Sequence, residues 1–174
     1  MTALGTLVPA SPLDASDDSR LLFTDDTDET LTRALGDTPV DFGNMDTSSW
    51  LVEYRQQGYV NDTLDLDIRI MNGATVLAAA DSGGTFESVA TGITSTTDVT
   101  SSATGFAYEN TAASKTTWDG ASVELRQTHA ASKGSDGCHI EVDYVAITGT
   151  YTISSGFQAV WAKNVNTLSG AGFD

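Results

Sequence analysis

The sequence predicts an all-β protein, an antiparallel β-sandwich or jelly roll, and three observations lead to this fold class. Apolar and polar residues alternate along several short segments, which is the period of a half-buried strand. Turn-forming pairs such as Asn72-Gly73 separate these segments. Segments with helical periodicity are almost absent, so we expect about seven to nine strands at regular spacing, flanked by extended N- and C-terminal arms.

Residues 1–18 are predicted to form the N-terminal arm, because they contain Pro9 and Pro12 and follow neither the strand period nor the helix period. The β-sandwich domain is expected over residues 19–151. Residues 152–174 are predicted to form the C-terminal arm, in which large apolar residues are scattered among Gly, Ser and Asn. Apolar arm residues would pack either on the chain's own sandwich or in a groove of a neighbouring subunit. The residues predicted to make subunit contacts are Leu4, Leu7, Val8, Phe157, Trp161 and Phe173.

Several short segments lie between the N-terminal arm and the first long strand. Residues 20–23 are an apolar run that predicts a first short strand. Residues 30–35 are expected to make one helical turn that ends at Gly36, and Pro39 precedes a strand-like run over residues 40–42. An acidic cluster between them could bind calcium through its carboxylates, but its spacing is not that of an EF-hand loop, and a solvated acidic turn is the simpler interpretation. This cluster consists of Asp25, Asp26, Asp28 and Glu29.

The clearest strands in the first half of the chain are residues 50–55 and 64–70, where apolar and polar residues alternate. Asn72-Gly73 follows directly and is the preferred pair for a two-residue type I′ hairpin, because both central residues take positive φ. That turn would face Ile70 with Thr75, Ile68 with Leu77 and Leu66 with Ala79, and it would place Leu66, Ile68, Leu77 and Ala79 on the buried face.

Weaker signals fill the middle of the chain. Residues 81–84 predict a turn, and the apolar residues at positions 86, 89 and 93 predict a further strand. Residues 94–104 are rich in Thr, Ser and Asp, which indicates a long loop or an edge strand. Phe106 and Tyr108 begin another short strand.

Residues 117–151 have the clearest secondary-structure pattern in the chain. Asp119-Gly120 predicts a turn in which Gly takes a positive φ, and Trp118 beside it is expected at the edge of the core. Alternation over residues 123–128 predicts a strand with Val123, Leu125 and Gln127 on one side.

A second strand in this stretch begins at Ile140 and alternates through Tyr144. From residue 145 to residue 147 its apolar phase slips, as a β-bulge or a strand covered on both faces would produce. Residues 117–151 therefore predict a long antiparallel pair near the end of the domain.

The composition excludes several classes of function. Acidic residues outnumber basic ones 24 to 8, and the net charge of -16 repels nucleic acid and anionic membranes. Adaptation to a salty medium or a basic partner would each account for this acidity. The single cysteine cannot form an intrachain disulfide, so packing must stabilise the fold. No apolar run has the length of a membrane helix, and the N-terminus lacks the features of a secretory signal, so we expect synthesis in the cytosol.

Candidate catalytic and metal-binding residues are few. The chain has two histidines, His129 and His139, and Cys138 is adjacent to the second, so these neighbours would point to opposite faces of a strand. A zinc site needs three or four convergent ligands, and no nucleophile motif accompanies the histidines. The glycines form neither a phosphate-binding nor a dinucleotide-binding loop. We therefore expect no metal, no cofactor and no enzymatic activity, with Cys138 as a small buried hydrophobic residue.

Aromatic residues leave one binding function open. They could form a platform on which sugars stack, although aromatic residues more often fill sandwich cores. A carbohydrate-binding module is therefore the alternative from a different functional class. The residues concerned are Trp50, Tyr54, Tyr59, Tyr108, Trp118, Tyr144 and Tyr151.

Part of the chain resembles a known group of proteins. The residues that carry the resemblance are Thr117-Trp118-Asp119-Gly120-Ala121, the strand over 123–127, the Ser135-Asp136-Gly137 loop and the strand ending Ile147-Thr148-Gly149-Thr150-Tyr151. This pattern is similar to one that recurs in small jelly-roll structural proteins of tailed, siphovirus-like bacteriophages. Less specifically, the similarity extends back to Leu64 and the Asn72-Gly73 hairpin.

The resemblance implies a non-enzymatic virion component with no catalytic residues. A capsid decoration (cement) protein that stabilises the phage head is the first expectation, and a tail or head-tail connector subunit is the second. The implied partners are the major capsid protein or tail proteins and further copies of the chain. The implied location is the virion, assembled in the host cytoplasm.

Overall fold

Two long strands that pair over most of their length form the centre of the first sheet. The structure is a computed structural model that describes residues 3–7 as backbone and residues 20–24, 27–58, 63–129 and 137–153 in full. Its strands are β1 (Ala3–Leu7), β2 (Leu21–Leu22), β3 (Glu29–Ala34), β4 (Phe42–Gln57), β5 (Leu64–Asn72), β6 (Thr75–Ala79), β7 (Glu87–Ile93), β8 (Val99–Ala103), β9 (Tyr108–Glu109), β10 (Ser122–His129) and β11 (His139–Ile153), and the short helix α1 covers Lys115–Asp119.

The strands form two antiparallel sheets, which confirms the predicted β-sandwich. The first sheet has the order β1-β11-β4-β8, and β2 also pairs with β11. The second has the order β3-β10-β5-β6-β9, and β7 pairs with another part of β5. Apolar side chains from both sheets form one hydrophobic core between them.

The phase slip in β11 is a β-bulge, as one of the two sequence interpretations predicted. Val142 pairs with Tyr54 of β4, but Tyr144 pairs with the preceding residue, Glu53, so Asp143 is the extra residue. Before the bulge Ile140 and Val142 are buried. After it the buried phase continues at Val145 and Ile147.

The pairing of β10 with β5 runs over eight residue pairs without a register shift. Val123 lies opposite Ile70 and Leu125 opposite Ile68, and all four side chains are buried. The predicted alternation over residues 64–70 and 123–128 is therefore confirmed. The predicted antiparallel pair within residues 117–151 is wrong, because β10 and β11 lie in different sheets and pair with strands distant in sequence.

The predicted hairpin register is wrong by a local shift. Asn72 pairs with Thr75, so the loop is Gly73 and Ala74, and Ile70 lies opposite Ala78 instead of Thr75. The Asn72 side chain donates a hydrogen bond to the carbonyl of Thr117 at 2.8 Å, which holds Asn72 in the strand. The predicted burial is nevertheless confirmed for Leu66, Ile68, Leu77 and Ala79.

Residues 30–35 do not form the predicted helical turn but belong to β3 and its end. Leu31 pairs with Leu125, and Leu35 is buried. The β-branched Thr30 and Thr32 are suited to a sheet, and the pairing partner β10 decides the conformation. Likewise, β4 begins only at Phe42, and residues 39–41 form a turn rather than a strand.

The Asp119-Gly120 pair ends α1 rather than forming a turn with positive φ. Gly120 has a φ of -93°, so its conformation does not require glycine. A Cβ at this position would lie 2.8 Å from the side-chain nitrogen of Asn72, so a larger residue would require that side chain to shift. Trp118 is buried as predicted.

The remaining sequence predictions concern turns and boundaries. The turn over residues 81–84 and an edge strand within residues 94–104 are confirmed. Cys138 is buried, as expected. Ala3–Leu7, within the predicted N-terminal arm, form β1 of the chain's own sheet, and β11 extends past residue 151 to Ile153.

The buried amide of Gln127 links the two sheets. Its side-chain oxygen accepts a hydrogen bond from the backbone N–H of Ile140 at 2.6 Å. Its side-chain nitrogen donates to the carbonyls of Thr24 and Thr27 at 3.2 and 2.9 Å. One side chain of β10 thus binds β11 and the segment before β3, and it is fully buried.

We predict that Gln127→Met destabilises the fold by about 2–3 kcal/mol, because the buried N–H of Ile140 loses its partner and the carbonyls lose theirs. Denaturant unfolding would measure this difference. Thr128→Met is the matched control, since it puts the same side chain on the opposite, half-buried face of β10. Equal stabilities of the two variants would contradict the role of Gln127.

An aromatic cluster closes the other end of the core. The rings of Phe42 and Tyr151 stack with centroids 5.1 Å apart, and Phe42 contacts Trp118 with centroids 6.4 Å apart. The Tyr151 hydroxyl donates a hydrogen bond to a carboxylate oxygen of Asp41 at 3.2 Å. Burial and then the Asp41 charge raise the pKa of Tyr151 to about 12.

We predict that stability falls as pH rises from about 10 to 12, because an unfolded tyrosine ionises near pH 10 and the folded Tyr151 does not. A group with a raised folded-state pKa favours folding below the unfolded pKa and loses that contribution above it. Tyr151→Phe should remove this part of the alkaline loss. Phenolate absorbance and unfolding curves measured against pH would test it, and an unchanged profile in the variant would contradict it.

Candidate functional site

The predicted subunit-contact residues fall mostly outside the described part of the chain. Leu4 and Leu7 lie in β1, opposite Thr150 and Ile147 of β11. Val8, Phe157, Trp161 and Phe173 lie outside the described residues. Their role in subunit contacts stays a prediction.

Among the described residues, a large charged cluster lies on the first sheet and is named the Glu141 cluster: Arg20, Arg55, Asp98, His139 and Glu141. A carboxylate oxygen of Glu141 accepts a hydrogen bond from Arg55 Nε at 2.7 Å and lies 3.7 Å from Arg20 Nε. Arg20 also binds Asp98 through two hydrogen bonds of 2.8 and 3.1 Å. His139 Nε2 is 3.7 Å from the other oxygen of Glu141.

The Glu141 cluster joins elements that are distant in sequence. Arg20 precedes β2 and Asp98 precedes β8, and the side chain of Arg20 is 6% exposed. Each carboxylate is bound by a guanidinium group, which suits a tie between strands. The arrangement therefore fastens β2 and the loop before β8 onto the first sheet.

A second network covers the outer face of the second sheet. The guanidinium groups of Arg69 and Arg126 lie 4.2 and 4.4 Å from the ring centroid of Phe86. Arg69 pairs with Glu124 at 2.6 Å, and Arg126 pairs with Asp67 at 2.7 Å. Cation–π contacts and cross-strand ion pairs hold β5, β10 and the start of β7 together.

A third tie fixes α1 to the segment before β4. The Asp119 carboxylate accepts hydrogen bonds from the backbone N–H and hydroxyl of Thr38 at 2.9 and 2.6 Å, and from Lys115 at 3.0 Å. Burial acts to raise the pKa of Asp119, but the hydrogen bonds from Thr38 and Lys115 together lower it. The carboxylate therefore stabilises the fold above its ordinary pKa and loses that effect as pH falls through the folded-state value.

His129 lies in the interior, out of reach of an external substrate. His129 Nδ1 is 3.3 Å from a carboxylate oxygen of Asp28, as in a base with an orienting acid. However, the His129 side chain is 1% exposed, and its Nε2 is buried without a hydrogen-bond partner. A general base must reach the proton that it removes, and this imidazole faces the interior.

The acidic cluster at residues 25–29 was one candidate cation site. Asp25 and Asp26 lie outside the described residues, Asp28 contacts His129, and Glu29 accepts a hydrogen bond from the backbone of Thr24 at 2.7 Å. Within the described ranges, no group of three or more His, Cys, Asp or Glu residues could hold a metal ion. No helix in the same ranges has the length and hydropathy needed to span a membrane.

The candidate sugar platform is largely core. Trp50, Tyr54, Trp118 and Tyr151 are buried, and Tyr108 and Tyr144 are half-buried. Burial raises the pKa of Tyr144. Tyr59 lies outside the described residues. These positions favour the core interpretation of the aromatic residues over a stacking surface.

The ion pairs and hydrogen bonds that connect the strands and α1 were not predicted from the sequence. Lys115 and Asp119 have the helical i, i+4 spacing of an ion pair, so this pair could have been predicted from the sequence. Arg20 and Asp98, by contrast, are 78 residues apart, and nothing local indicates their pairing.

The fold defines this chain as an antiparallel β-sandwich protein. No family model and no curated protein matches the sequence. Among solved structures, the chain is similar to one described as the structure of infectious bursal disease virus Gt strain, with 15% sequence identity and a TM-score of 0.36. The match covers 89% of this chain and 37% of that one, so the chain spans little more than a third of its neighbour's length.

We predict that Glu141→Gln lowers the free energy of unfolding by about 1–3 kcal/mol, because Arg20 and Arg55 lose the carboxylate that they share. Thermal or denaturant unfolding would measure the loss. Glu53→Gln, a half-buried carboxylate on the neighbouring strand β4, is the matched control and should change stability less. A larger loss of stability in Glu53→Gln than in Glu141→Gln would show that the Glu141 cluster does not stabilise the sheet.

Proposed function

We propose that this chain is a non-enzymatic structural protein of a virion, and in particular a capsid decoration protein that stabilises a phage head through subunit contacts. The observation that carries the proposal is the use of the charged side chains. In both sheets the close carboxylate-guanidinium pairs join strand to strand, as in a rigid building block. An open pair of acids or a base with a nucleophile would favour an enzyme instead.

The positions of the chain ends support the same proposal. β1 and the last part of β11 are neighbours, with Ala3 opposite Tyr151. The end of β11, after which the C-terminal arm is predicted, therefore lies beside the start of β1. Arms that begin at one edge of a sheet are well placed to reach an adjacent subunit, and the apolar residues at positions 157, 161 and 173 would supply the contact area.

The negative charge is compatible with this role. A net charge of -16 suppresses non-specific association of the subunits and disfavours binding to packaged nucleic acid. Attachment to the outside of a capsid would then depend on apolar arm contacts rather than on charge. The resemblance of residues 117–151 to jelly-roll phage proteins points to the same class.

Quantitative mass spectrometry of purified particles tests the proposal. We expect this chain in a high, fixed ratio to the major capsid protein. A few copies per particle would instead indicate a tail or connector subunit and refute the decoration role. Absence from the particles would refute the virion role and would make a glycan-binding screen the next experiment.

We further predict that the triple variant Phe157→Ser, Trp161→Ser, Phe173→Ser binds particles lacking this protein much more weakly than the wild-type chain does. Co-sedimentation with such particles would measure the difference. Val40→Ser is the control, because Val40 is 94% exposed, apolar and outside the arms. Equal binding of the triple variant and the control would refute the arm contacts.

A further inference from the structure

The edge strand β8 ends the first sheet and leaves one side without a strand partner. Its five residues pair with β4 from Trp50 to Tyr54 without a register shift. Within the described ranges, no strand pairs with its other side. The side chains of Thr100 and Ser102 are exposed. The backbone N–H and C=O groups on that side are therefore available to another strand.

Two other edge strands, β3 and β7, carry features that discourage such pairing, and the edge strand β2 has only two residues. β3 contains Glu29 and Arg33. β7 contains Glu87, and two register shifts interrupt its pairing with β5. Charges and bulges of this kind are how native sheets protect their edges. β8 has no charge, no proline, no glycine and no bulge.

We propose that β8 is a self-association surface, at which it pairs in antiparallel fashion with β8 of a second copy of this chain. A two-fold axis at Ser101 would place Thr100 opposite the partner's Ser102 and Val99 opposite the partner's Ala103. Hydroxyl residues then face each other on the outer side, and small apolar residues face each other on the inner side. Both are favourable cross-strand pairs, and the strand is complementary to itself.

Charge favours β8 over other surfaces for this contact. Two copies that each carry a net charge of -16 repel each other, and the repulsion is least where a neutral strip is presented. From Val99 to Tyr108 the chain has no ionisable acid or base apart from the tyrosine itself. Asp98, the acid just before the strand, is bound by Arg20. The backbone bonds of an added strand do not depend on side-chain charge.

The proposal does not depend on the virion role. It predicts a symmetric dimer of the free protein, with one continuous sheet across two copies. A second copy is chosen as the occupant because the strand complements itself and carries no charge that would select a basic or acidic partner.

Sedimentation velocity over a range of concentrations tests the proposal. The wild-type chain should sediment as a dimer. Thr100→Asp/Ser102→Asp should raise the dimer Kd at least about tenfold, because each of two cross-strand hydroxyl pairs becomes a pair of like charges. Thr30→Asp/Thr32→Asp makes the same change at exposed positions of the edge strand β3 and should leave the dimer intact.

A charge-swap experiment separates lost pairing from lost folding. Thr100→Lys/Ser102→Lys should also weaken self-association, but an equimolar mixture with the Asp variant should form mixed dimers. Circular dichroism would confirm that each variant is folded. A monomeric wild-type chain, or an unchanged dimer in the Asp variant, would overturn the proposal. Loss of the dimer only when residues 154–174 are removed would identify an arm as the occupant and would also overturn it.

Discussion

The ladder between β4 and β11 is the constraint on which the sandwich depends. These strands have 16 and 15 residues, and they form the middle of the first sheet. Without the extra residue at Asp143, the period of two would turn Val145 and Ile147 away from the core. The bulge resets the phase, so both halves of β11 contribute apolar side chains to the interior. The extra residue at Asp143 thus lets one long strand face the core with apolar side chains both before and after the bulge.

The β10–β5 ladder of the second sheet has no register shift, whereas the β4–β11 ladder of the first has three. β10 and β5 pair without interruption, and their inward side chains are nearly all aliphatic. Gln127 and His129 are the exceptions, and Gln127 connects the two layers through hydrogen bonds. Because its oxygen binds Ile140 and its nitrogen binds the carbonyls of Thr24 and Thr27, the segment before β3 is held over one end of the sandwich. In that position Arg20 lies beside Glu141, and Asp28 lies beside His129.

Local alternation predicted the fold class, several individual strands and the bulge, because each depends on a period that one segment displays. Prediction from local alternation failed where a residue distant in sequence determines the conformation or the pairing. Residues 30–35 are a strand because β10, far along the chain, supplies the pairing partner. The hairpin shifts because the carbonyl of Thr117 binds Asn72. The ion pairs of the Glu141 cluster likewise join residues that no local pattern connects. For the candidate contact residues, the sequence shows that the predicted arms contain apolar side chains. It does not show which surface these side chains contact.

The distribution of basic residues limits how copies of this chain could associate through ion pairs. Five of the eight lysines and arginines are paired with carboxylates inside the fold: Arg20, Arg55, Arg69, Lys115 and Arg126. Most basic side chains thus form ion pairs within the fold. The acidic residues in excess of them give the surface its negative charge. Ion pairing between copies therefore has few positive groups to draw on. Backbone hydrogen bonds and uncharged side chains are left as the means of contact, and an edge strand such as β8 supplies both.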